Sequence, residues 1–78
     1  MKVQVKFLAI YRKFLPPGTP PAFEREVAPG TSVDDLVASL PAPKGDVTVV
    51  LVNGREPQPE QVLREGDVVA LFPAIAGG

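Results

Sequence analysis

The residue types that usually carry chemistry are nearly absent from this chain. Its 78 residues include no His and no Cys. Nucleophilic dyads and triads of the common kinds therefore cannot be assembled, and disulfides and the usual zinc ligands are excluded. The acidic residues fall mostly in turns or at a helix start, and no glycine loop of the phosphate-cradling type occurs. Asp67, in the run Arg64-Glu65-Gly66-Asp67, reads as a turn residue that fixes Gly66 and not as a metal ligand; no metal site is expected. What remains is the end of the chain, Pro73-Ala74-Ile75-Ala76-Gly77-Gly78. With no Cβ on Gly77 or Gly78, this is a thin, flexible tail with an unhindered carboxylate. It can lie extended in a narrow channel of another protein, held by backbone hydrogen bonds. The chain itself is not expected to be an enzyme. Two terminal glycines taken alone describe a frayed end more often than a functional one. Their place directly after a core strand makes them a candidate.

The elements that would position this tail follow from periodicity. Val3, Val5 and Phe7 alternate with Lys2, Gln4 and Lys6, the pattern of a strand with one wet face. Leu8, Ala9 and Ile10 continue the apolar run and are expected to enter the core. Tyr11 to Leu15 reads as a helical turn stopped by Pro16-Pro17. A second strand spans about Phe23 to Val27, closed by Pro29-Gly30. Thr31 and Ser32 are helix N-cap types, with Asp34 and Asp35 favourably placed at the positive end of the helix dipole. Val33, Leu36, Val37 and Leu40 lie on one helical face, and Pro41 ends the helix. Val47 to Val52 is a strongly β-forming run, and Asn53-Gly54 turns the chain into a short segment near Arg55-Glu56. Val62 and Leu63 read as a small satellite over the core, and Val68 to Phe72 as a last, centrally placed strand.

Length and charge narrow the class further. A chain this short buries roughly 60% of its unfolded surface, so packing and backbone pairing must suffice. Eight basic residues face nine acidic ones, read as scattered, with no basic stripe, so no direct nucleic-acid partner is expected. No apolar run approaches the roughly 20 residues of a membrane span. The alternating N-terminus does not read as a signal peptide, and a cytoplasmic protein without a membrane partner is expected. The order strand, strand, helix, strand, short strand, strand supports an α+β domain.

Several stretches together resemble the MoaD/ThiS family of ubiquitin-like sulfur carriers. They are Val3-Gln4-Val5-Lys6-Phe7-Leu8-Ala9, Val49-Val50-Leu51-Val52-Asn53-Gly54-Arg55, Leu63 to Pro73, and the terminal Gly77-Gly78. The resemblance implies a β-grasp fold, a mixed sheet of four to five strands crossed by one main helix. Residues 1–72 would form the domain and 73–78 the tail. It also implies a cycle in which the Gly78 carboxylate is adenylated with ATP by a partner of the ubiquitin-activating type. A persulfide donor then supplies sulfur, leaving a thiocarboxylate; the carrier itself binds no cofactor. The loop after the first strand and the Phe72-Pro73 pair lean towards the MoaD branch, in which the tail enters the large subunit of molybdopterin synthase and serves molybdenum cofactor biosynthesis. The Ile75-Ala76-Gly77-Gly78 ending fits the thiamin branch equally, and conjugation of Gly78 to a lysine shares the same activation step. By alignment, Phe7 and Phe72 match an apolar patch that docks the partners, with ordinary core packing as the alternative role for each. Pro73, Ala74, Ile75, Ala76 and Gly77 would be held in the partner's channel.

Overall fold

The computed structural model describes residues 1–74. Four strands form one mixed sheet: β1 (Lys2–Phe7), β2 (Ala22–Glu26), β3 (Thr48–Val52) and β4 (Val68–Pro73). Their order is β2-β1-β4-β3. β1 and β2 pair antiparallel, with Val5 opposite Phe23, and β3 and β4 pair antiparallel, with Val50 opposite Leu71. The two hairpins join through a parallel contact between β1 and β4, in which Phe7 is level with Leu71. A parallel pairing requires a crossover, and α1 (Val33–Ala38) lies within it. This is the α+β, β-grasp arrangement of the ubiquitin-like folds.

Alternation decides which face is covered. Val3, Val5 and Phe7 of β1, and Val69 and Leu71 of β4, are buried with Val33, Leu36, Leu40 and Leu63 in a single core. A helix of six residues would not persist alone, so burial of this face must hold it. Its ends are also closed. Ser32 Oγ accepts from the Asp35 N–H at 3.0 Å, and the Asp35 carboxylate accepts from the Ser32 N–H at 3.4 Å. At the other end, Lys44 Nζ donates to the carbonyls of Val37 at 3.0 Å and Leu40 at 2.6 Å.

Several local expectations change. Leu8 and Ile10 do not enter the core: they are 41% and 59% exposed. The helical turn starts earlier than expected, as a 3₁₀ helix over Ala9–Phe14, and its rotation sends Tyr11 inward instead. The Tyr11 hydroxyl lies 2.7 Å from Thr48 Oγ1 and 3.1 Å from the Val47 carbonyl, so the 3₁₀ helix is tied to the start of β3. The segment near Arg55-Glu56 is not a strand. Asn53 and Gly54, with φ of 54° and 82°, turn so tightly that Arg55 makes one bridge with Val52, and Pro57 stops the pairing there. Leu63 joins the main core, whereas Val62 is exposed.

Candidate functional site

β4 is the strand that leads towards the terminal glycines, and its first end is pinned by polar contacts. The Asn53 side chain donates from Nδ2 to Asp67 Oδ1 at 2.9 Å and accepts from the Val68 N–H at 2.9 Å. The second Asp67 oxygen accepts from the Arg64 N–H at 2.9 Å. Asp67 is thus a turn residue, as its sequence context suggests, and it also locks the Asn53 amide. Asp67 is buried and Asn53 exposed, and these bonds fix the register of β3 against β4.

At its other end β4 runs through Pro73, which lies opposite Thr48. The Ala74 N–H donates to the Val47 carbonyl at 2.9 Å, so pairing with the β3 side continues past Pro73. Proline can sit here because its nitrogen faces the β1 side, and β1 has already ended at Phe7. Ala74 is exposed and Pro73 half-buried. The remaining expected tail residues, Ile75, Ala76, Gly77 and Gly78, lie outside the described residues.

The two phenylalanines separate. Phe7 is completely buried and stacks on Phe23, with ring centroids 6.2 Å apart. Its side chain has no surface to offer a partner, which corrects its expected place in a docking patch. Phe72 projects to the opposite face of the sheet and is half-buried, opposite Val49. Val49, Leu51, Val68 and Ala70 are half-buried neighbours on the same two strands, and none belongs to the core. The residue missed by the sequence reading is Leu8. The β1–β4 register, continued by one residue from Phe7 and Leu71, brings Leu8 level with Phe72, and the Leu8 N–H donates to the Leu71 carbonyl at 3.0 Å. The signal was present, since strict alternation that turns Phe7 inward turns Leu8 outward.

The open face therefore has an apolar half on β3 and β4 that reaches the end of β4. Its other half, on β1 and β2, carries Lys2, Lys6, Glu24 and Glu26. Among the described residues no three carboxylates converge into a metal-binding group, and no helix is long and apolar enough to cross a membrane. Leu8 and Phe72 thus lie side by side on the open face, next to the end of β4.

Comparison with known proteins places this geometry. Residues 5–78 match the ThiS family. SAMP1 from Haloferax volcanii has the same fold, with a TM-score of 0.76 over 100% of both chains at 24% identity. A Pyrococcus furiosus protein assigned as molybdopterin converting factor subunit 1 is similar at 27% identity and a TM-score of 0.76. That match covers 95% of this chain and 98% of the other. No curated protein matches the chain.

Proposed function

Since this chain belongs to the ThiS family, whose members are small non-catalytic carriers working with adenylating enzymes and synthase subunits, we propose that it carries sulfur on the carboxylate of Gly78. The observation that carries this reading is the one-sided sheet. Its helix-covered face holds the fold, while the apolar strip around Phe72 and Leu8 lies uncovered beside the strand that leads to the glycines.

In the proposed cycle a partner binds the open face and draws the tail into its own active site. A Gly78 carboxylate oxygen attacks the α-phosphorus of ATP, pyrophosphate leaves, and an acyl-adenylate forms. The outer sulfur of a persulfide then attacks the carbonyl carbon and AMP leaves. A donor thiol breaks the remaining S–S bond and becomes part of a disulfide, releasing the thiocarboxylate. This chain contributes no acid or base to these steps. It supplies a slim reactive end, and its lack of Cys means that no internal thiol competes for the activated carbonyl. ATP belongs to the partner, and the cycle takes place in the cytoplasm.

We favour the molybdopterin pathway as the destination, with the large subunit of molybdopterin synthase as the acceptor of the tail. The similarity to the Pyrococcus furiosus protein and the Phe72-Pro73 pair support that branch. Deletion of Gly77 and Gly78 is expected to abolish thiocarboxylate formation while leaving the circular dichroism spectrum unchanged. Adding one residue after Gly78 should do the same, because the reacting carbonyl moves. Sulfur loading that survives both changes would overturn the proposal. Large isopeptide-linked species formed without sulfur loading would instead identify a protein modifier.

A further inference from the structure

The charge of this chain is segregated, although the totals nearly balance. Residues 1–23 hold four basic and no acidic residues, whereas residues 24–78 hold four basic and nine acidic ones. Folding brings part of that basic segment around a concavity of about 330 Å³. Its mostly apolar wall includes Leu8, Ala9, Pro21 and Ala22, and Lys6 and Arg12 also line it. Lys13 is engaged, since its ammonium sits 5.4 Å from the centre of the Phe14 ring. Lys6 and Arg12 make no ion pair with any carboxylate of the described residues, among which the N-terminal ammonium with Glu26 is the single pair.

The backbone at this place is also strained. Ala9 has φ of 55°, a left-handed conformation that costs a non-glycine residue roughly 1–2 kcal/mol. It lies where β1 ends and the 3₁₀ helix begins, in the wall of the concavity. Strain of this kind persists only where the surrounding structure enforces it. Leu8 belongs both to the concavity and to the apolar strip beside Phe72.

We propose that this concavity is a docking socket for an acidic segment of the tail-activating protein: an apolar side chain fills it, and flanking carboxylates pair with Lys6 and Arg12. The proposal rests on the tail reading above and specifies the chemistry of the partner that the reading requires. Charge complementarity selects the acidic occupant, because the free cations border an apolar wall with no carboxylate in the lining. The apolar wall favours a protein segment over a nucleic acid, whose backbone would leave it unfilled. A socket contiguous with Leu8 would orient the carrier so that β4 points its end into the partner.

The test uses the full chain and the adenylating enzyme of the same organism, with pyrophosphate exchange read against carrier concentration. Charge reversal by Arg12→Glu or Lys6→Glu should raise KM about tenfold, more at low salt, with kcat unchanged. Arg55→Glu, a reversal outside the socket, should leave both constants unchanged. A wild-type carrier that is turned over while both socket variants keep its KM would overturn the socket and leave the tail reading standing. A wild-type carrier that is not adenylated would count against the tail reading. The socket is then decided by NMR titration with a synthetic peptide carrying one leucine between pairs of glutamates. Amide shifts confined to residues 6–12 and Ala22, and lost in Arg12→Glu, support it. Shifts elsewhere, no shifts, or tighter binding of a single-stranded RNA at the same residues overturn it.

Discussion

The two faces of the sheet use the same residue types for opposite purposes. On the covered face, Val3, Val5, Phe7, Val69 and Leu71 are sealed beneath α1 and the 3₁₀ helix. On the open face, Val49, Leu51, Val68, Ala70 and Phe72 are equally apolar but remain half-buried, with no element of the described residues over them. Hydrophobicity alone therefore does not distinguish core from open face in a domain this small. The strand period does, because it assigns each side chain to a face, and the crossover through α1 covers one face only.

The comparison can be broken most directly at its two aromatics. Phe7→Ala should destabilise the fold by about 3–5 kcal/mol, a large share of the stability of any small domain. In urea denaturation this variant should be largely unfolded or have a much lower midpoint. Phe72→Ala removes a cross-strand contact with Val49 on the open face and should cost less than about 1 kcal/mol. Its effect should instead fall on partner engagement, as a raised KM in carrier activation. Equal stability losses for the two variants would erase the distinction between the faces.

The ends of β4 sharpen the comparison at a smaller scale. Asp67→Ala removes the acceptor of the Asn53 amide and of the Arg64 N–H, at a cost of about 0.5–1.5 kcal/mol for each bond. Asn53→Ala should cost a similar amount, and the double variant less than the sum, since both belong to one network. Additive losses in a double-mutant cycle would show that the two residues act separately. Ser32→Ala, which removes the cap of α1, should cost about 1 kcal/mol, read as a shift of the denaturation midpoint at constant m-value. Smallest of all is Ala9→Gly. Relief of the left-handed strain is offset by the greater freedom of glycine in the unfolded chain, so stability should change by no more than about 1 kcal/mol.

Much of the fold was legible because its signals are local. Alternation in β1, the β-branched run of β3, the Asn53-Gly54 turn and the Ser32 cap each announce themselves within a few residues. The misreadings arose where an apolar run stood without a period. Leu8, Ala9 and Ile10 look like an extension of the core, yet the strand ends at Phe7 and a 3₁₀ helix follows, which leaves Leu8 and Ile10 outside. Leu40 was correctly placed in the core, although α1 ends at Ala38. Ser39 Oγ donates to the Leu36 carbonyl at 2.7 Å as the helix closes, and Leu40 packs from the turn beyond it. Within the candidate site, the terminal glycines and Phe72 stand out in the sequence itself, but the alignment of Leu8 beside Phe72 and the gathering of Lys6 and Arg12 depend on the β1–β4 register and the turn after it. Nothing within either strand states that register.

The central claim is that the reacting atom of this molecule is the carbonyl carbon of Gly78. Its most direct test is the intact mass of the full chain after incubation with the adenylating enzyme, ATP and a persulfide donor. A gain equal to the mass difference between one sulfur and one oxygen atom is expected, localised by fragmentation to Gly78 and absent when ATP is omitted. An unchanged mass, with the same enzyme active on a known carrier, would contradict it.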